Sequence, residues 1–445
     1  MAALRGTSPG LQQQFTENTS EENQEELRVK FAEATECGDT ETIRHLLEKG
    51  DVVPDITVQR EGFGKSPLSL ACSYGQASVV EELLKSGADP NLRSTTGRIP
   101  LHDACVGGHV DCVILLLDHM TSIDITDRNK QTAVHHAAYN GEAKCLKLLA
   151  EKGANLVAED QKGRQPAHLA AMRNQIKILR LLFDHGVDLD CCCESGKTPL
   201  HYAAQYGGLE SVICLVERDC DTTFGDNNGF LAAHLAARYD KLDCLRFLVQ
   251  QGTALDAAQS EGRTPAHVAA QYGAVNVLHW LLEKGADVNV QDHFGNTPAH
   301  YAAEAGKAEC FNCCLQHGGE QEIVNVHGDT VFDSARKGGH PLLMGKAARN
   351  DVKCPLCYKK FQLIQWDEEH QPSMVERSIS TAMSTAYLSP LPSAPRRPSQ
   401  AQKNLFKFDM KKKPPKKKLP TRDLPAKYFG EYLDPNENFK FFTTE

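Results

Sequence analysis

No apolar run in the 445 residues approaches the roughly 20 that a membrane-crossing helix requires. The opening residues lack the long apolar core of a secretory leader, and Ala2 stands where N-myristoylation needs glycine. No Ser/His/Asp set, Walker loop, kinase signature or HExxH motif occurs, so nothing points to an enzyme. The expectation is a non-enzymatic protein of the cytoplasm, with the nucleus as a second compartment.

Cysteine, by contrast, is plentiful, with 16 residues. Cys112, Cys145, Cys244 and Cys310 fall at one recurrent position that Val79, Ile178 and Val277 occupy elsewhere. They read as small buried apolar side chains that stay reduced, not as a disulfide framework. Cys191, Cys192 and Cys193 fall between repeats and read as loop thiols. The charge of −9 is unevenly spread. From His340 onward there are 19 Lys and Arg against 11 Asp and Glu, a net of +8, which leaves −17 on the rest. An acidic body joined to a basic tail suggests that the tail makes contacts.

The organising stretch is Gly196-Lys197-Thr198-Pro199-Leu200-His201-Tyr202-Ala203-Ala204. Its histidine returns every 33 residues at His102, His135, His168, His201, His234, His267 and His300, and Ser69 and Asp333 hold the slot at either end. A fixed period of this kind marks a stacked array. Thr198 suits a helix N-cap and Pro199 a first helical position. Gly207 suits a left-handed C-cap, and Asn174 and Asp240 replace that glycine in two repeats. A second helix carries an anchor recurring as Leu83, Leu116, Leu149, Leu182, Leu215, Leu248 and Leu281.

The unit T-P-L-H-x-A-A at this period resembles the ankyrin repeat. The resemblance implies an all-α solenoid of helix-turn-helix units with β-hairpin loops over 25–340. A degenerate cap is expected at 25–50, then eight clear repeats and a partial last unit. Residues 1–24, poor in large apolar groups, are expected to be disordered, as is most of the C-terminal tail. The histidines are expected to be structural, bonding backbone between neighbouring hairpins. At one per stacked unit they lie about 10 Å apart, too far to share a metal.

In ankyrin proteins the hairpin tips and first helices line a concave groove, so positions that the repeat leaves free are the candidates for binding. The position before the turn glycine holds Tyr206, Tyr239 and Tyr272 in consecutive repeats, with Arg173 in the same slot and Arg238 beside Tyr239. Tyrosine suits a binding hot spot; packing against neighbouring hairpins is the alternative. The position after the tip glycine is basic at Lys65, Arg98, Arg164, Lys197 and Arg263, which could steer an acidic segment of a partner protein into the groove. A merely solvated charge row is the other reading.

The tail carries Cys354, Cys357, Phe361 and His370 at C-x2-C-x3-F-x8-H spacing, similar to three ligands of a C2H2 zinc finger, over a segment 341–371. A fourth ligand would have to come from His340, His327 or a partner; without one the segment is a degenerate finger, or a helix-starting CPxC turn packed on the last repeat, and no cofactor is expected. Residues 372–427 form a Pro/Ser/Lys-rich linker containing Lys411, Lys412, Lys413, Lys416, Lys417 and Lys418, a block that resembles a nuclear import signal. Residues 428–445 are rich in aromatics and read as a docking segment. The function expected is a protein–protein interaction scaffold or adaptor. One alternative is a substrate adaptor of a ubiquitin ligase, from a faint likeness of Leu419–Leu433 to the end of a SOCS-type box. Another is a nuclear nucleic-acid-associated regulator, ranked low because only Phe406 and Phe408 closely precede the lysines. The opposite charges also suggest that the tail folds back on the solenoid.

Overall fold

Each repeat begins a helix for reasons visible in its first four residues. Thr198 is extended (φ −88°, ψ 167°), Pro199 takes the first helical position, and the helix Pro199–Tyr206 ends at Gly207 in the left-handed region (φ 80°). That glycine's N–H returns to the Ala203 carbonyl. The computed structural model describes residues 26–50, 52–55, 58–60, 63–341 and 354–357. Within them helices alternate in pairs. A pair at 26–37 and Thr40–Glu48 comes first, then eight pairs from Pro67–Tyr74 with Ala77–Lys85 to Pro298–Glu304 with Ala308–Gln316, then Val331–Lys337.

First helices pack on the first helices of the neighbouring repeats and second helices on second helices. The small Ala203 and Ala204 are fully buried at this seam, as are all seven anchor leucines from Leu83 to Leu281. One continuous apolar core runs from Phe31 to Ala335. Cys112, Cys145, Cys244 and Cys310 lie in it as small apolar groups, and no described cysteine is in a disulfide. Ser211 occupies the same repeat position, fully buried, and its hydroxyl has no hydrogen-bond partner among the described residues. A buried hydroxyl without a partner costs about 1–3 kcal/mol. Replacing it by the residue other repeats use there, Ser211→Cys, is expected to raise stability by about 1 kcal/mol. A urea midpoint that stays in place or falls would refute this.

The threonine cap takes an unexpected form. In repeats with the histidine, the threonine hydroxyl does not accept from the helix. The ring does the capping instead. His201 Nδ1 accepts the Thr198 amide at 3.1 Å, so the ring proton sits on Nε2, which donates to the Phe230 carbonyl of the next repeat at 2.8 Å. Every histidine of the series is held this way, from His102 on the Ile125 carbonyl to His300 on the Asp329 carbonyl. At the two ends of the array, where the histidine is absent, Ser66 and Thr330 accept the amides of Ser69 and Asp333 with their own hydroxyls.

Glycine replacements behave as their chemistry demands. Asn174 (φ 57°) and Asp240 (φ 53°) adopt the left-handed conformation in place of the turn glycine. The tips are tight turns rather than strand pairs; among the described residues only Val58–Arg60 with Phe63–Lys65 forms a β-ladder. Five of the tips are built on an acceptor side chain. Asp127, Asp160, Asp226 and Asp292 each accept the amides two and four residues on through one carboxylate oxygen, and Asn325 does so with its amide oxygen. This second period-33 signal stands in the sequence beside the histidines.

Candidate functional site

The end of each first helix presents the residue before the turn to solvent. Tyr206, Tyr239 and Tyr272 are 51%, 36% and 38% exposed. Because their helices stack in consecutive repeats, the three phenols form one row about 20 Å long. The Arg238 guanidinium lies 4.3 Å from the centre of the Tyr272 ring and 5.6 Å from that of Tyr239, so a cation bridges two of the three aromatics. Partial burial and the neighbouring Tyr239 phenol raise the Tyr206 pKa, keeping its hydroxyl a donor at neutral pH. Further along, Arg173 is exposed and stacks 4.9 Å over Tyr139. The row is therefore a semi-apolar strip with hydroxyls and guanidinium groups along it.

The basic positions after the tip glycines are engaged within the solenoid. Arg164 makes two hydrogen bonds to Asp160, at 2.7 and 2.9 Å. Lys65 and Arg98 lie 3.6 and 3.8 Å from the buried Asp103 carboxylate, whose pKa burial raises against the pull of both cations. Arg263 pairs with Glu261 at 3.0 Å, faces Asp292 and lies over the Tyr301 ring. Lys197 donates to Gln205, and burial holds its ammonium below the ordinary lysine range. The expected row of outward charges is thus largely turned onto the tips that bear it. Asp160, four residues before Arg164, was the signal for this. Arg238 and Arg173 are the cations that sit on the tyrosine face.

Cys354 and Cys357 stand at the two ends of a short turn that packs on the last second helices. Cys354 is buried in the main core, with Leu356 and Cys357 against it. The side chains brought to them are His279 and Cys313, from Val275–Glu283 and Ala308–Gln316. The four possible ligand atoms lie within 4.8 Å of one another. His370, the lysine block and the aromatic end lie outside the described residues, and His340 instead packs its ring over Gly306. Neither His279 nor Cys313 could be found from finger spacing, because they come from two different repeats.

A family model described as ankyrin repeats in three copies matches residues 1–94, 31–127, 68–160, 156–226 and 214–292, and one for ankyrin repeats in many copies matches 281–335. Neither is a catalytic family. Oxysterol-binding protein-related protein 1 of Homo sapiens is 39% identical over 61 residues, 12% of this chain and 6% of that protein. The protein of that name from Rattus norvegicus is 41% identical over 61 residues, with the same shares. The chain thus matches about 6% of the length of these curated relatives. Among the described residues no helix is long and apolar enough to cross a membrane.

Proposed function

The chain belongs to the ankyrin-repeat family of protein–protein interaction modules, and from that premise we propose that it is a non-enzymatic scaffold or adaptor that captures a segment of a partner protein on its tyrosine face. The observation that carries this reading is the exposed row Tyr206, Tyr239 and Tyr272 with Arg238 stacked across its second half. Three half-exposed phenols in register offer flat apolar surface with polar tips, the composition of interface hot spots. Arg238 supplies the charge. A segment with apolar or aromatic groups at a spacing of about 10 Å and a carboxylate among them would fit the row. With the tip cations already engaged, such a partner needs one acidic group opposite Arg238, not a long acidic run.

Because the three side chains are half-exposed, removing them should affect binding far more than folding. Proximity labelling in cells with the full chain and with a Tyr206→Ala/Tyr239→Ala/Tyr272→Ala variant tests the reading. Enrichment of the partner class is expected to fall about 100-fold or more, corresponding to about 3 kcal/mol across the three positions. The far-ultraviolet circular dichroism should be unchanged. Interactors that survive the triple substitution would refute the tyrosine face as the binding site.

A further inference from the structure

The second helices depart from the repeat at their last two members. The slot that His279 occupies is solvent-facing in five other repeats, where it holds Glu81, Ile114, Lys147, Arg180 and Arg246, half-buried at Ile213, and buried only at His279 and at Asn312 in the following repeat. His279 is only 8% exposed. The turn 354–357 packs beside it, and its cysteines join a cluster of the composition that structural zinc sites use.

We propose that Cys313, Cys354, Cys357 and His279 form a Cys3His zinc site that clasps the segment after the last repeat onto the second-helix layer. The distances support it. Cys357 Sγ lies 3.2 Å from His279 Nδ1, and Cys313 Sγ lies 3.9 Å from the same nitrogen and 4.0 Å from Cys357 Sγ. Around a tetrahedral zinc with ordinary bond lengths, adjacent ligand atoms stand about 3.5–3.8 Å apart. Small side-chain adjustments bring this set to that spacing. The ligand-supporting contacts are present as well. His279 Nε2 lies 3.4 Å from the Glu283 carboxylate one turn on. A carboxylate there takes the ring proton on Nε2 and leaves Nδ1 as the donor to a metal. The amides of Leu356 and Cys357 hydrogen-bond to Cys354 and hold the turn in place. His317 Nε2, 3.7 Å from Cys357 Sγ, packs edge-on against the His279 ring and closes the site on that side.

The position explains what such a site would do. Val331–Lys337 is the last first helix, and among the described residues no second helix follows it. Among the described residues the end of the second-helix layer therefore has no next repeat over it, and terminal units of solenoids need a cap. Zinc at Cys313 and His279 joins two consecutive repeats and pins residues 354–357 over that end.

The test uses full-length protein, expressed with zinc, desalted and assayed by elemental mass spectrometry. One zinc per chain is expected, dropping to about one tenth or less in His279→Ala and Cys313→Ser. His370→Ala, outside the set, and Cys314→Ala, the buried thiol next to it, should keep the metal. Cobalt(II) in place of zinc should show the visible bands of a tetrahedral thiolate complex. Should Cys313→Ser fail to fold, Glu283→Gln leaves all four ligands in place and is expected to weaken zinc binding about 10–100-fold. Chelation of the wild-type chain should speed hydrogen exchange in Ala308–Gln316 by about tenfold or more, leaving Pro166–Met172 unchanged. Wild-type protein without zinc, full zinc in His279→Ala, or loss of zinc in His370→Ala would overturn the ligand set. Equal exchange with and without chelator would overturn the clasp.

Discussion

Between pH 7 and pH 5.5 the solenoid is expected to lose about 6 kcal/mol of stability through its histidines alone. Burial, the leading cause in each case, lowers the pKa of His102 to about 3 and of His135, His168, His234 and His267 to about 4. His201 and His300 shift in the same direction for the same reason. In the unfolded chain each titrates near about 6.5. From about pH 6.5 down to the folded values the unfolded state therefore binds more protons, and stability falls as pH falls. Each group held at about 4 contributes a loss on the order of 1 kcal/mol between pH 7 and pH 5.5. The structural cause is plain at His201, where Nδ1 already accepts the Thr198 amide. A proton there would set donor against donor. The depressed carboxylates Asp127 and Asp160 contribute stability that is lost only as pH falls below their unfolded range, so they do not explain a change above pH 5. Urea midpoints by circular dichroism at half-unit steps from pH 7.5 to 5 check this; a flat profile would refute the neutral-ring network.

Much of this was legible because the period is rigid. A histidine every 33 residues sets the register, and the register in turn predicts the left-handed backbone at Asn174 and Asp240 and the burial of Cys112, Cys145, Cys244 and Cys310. Where the reading stopped short, the contacts cross between units. The bond from His201 to the next repeat was expected, but Thr198 was expected to cap the helix, whereas the ring's other nitrogen accepts the Thr198 amide. The basic row looked free because a period shows which residues recur and not what they touch; Asp160 beneath Arg164 decides the matter. The pairing of Cys354 and Cys357 with Cys313 and His279 was the least legible. It depends on the chain returning to two repeats already laid down, and local spacing pointed downstream to His370.

His201→Ala is expected to cost about 3–5 kcal/mol, more than a substitution of its size in an ordinary core position, because it strands two backbone groups at once. The Thr198 amide and the Phe230 carbonyl lose their shared partner, each at about 1–3 kcal/mol, and a ring-sized cavity opens between adjacent repeats. The same variant tests the titration argument from the other side. Removing one group with a depressed pKa should lessen the pH dependence below about pH 6.5 by up to about 1.4 kcal/mol per pH unit, so that wild type and variant converge in stability as the medium is acidified. A purely steric defect would keep the two curves parallel. Coupling should follow the stacking. His201→Ala with His234→Ala changes adjacent repeats that share an interface, and their effects should depart from additivity by about 0.5 kcal/mol or more. His135→Ala with His267→Ala changes repeats that do not touch, and their effects should add to within about 0.5 kcal/mol. Additive behaviour in both pairs would mean that each ring acts only within its own repeat. That result would contradict the bond from His201 to Phe230 on which the continuity of the array depends.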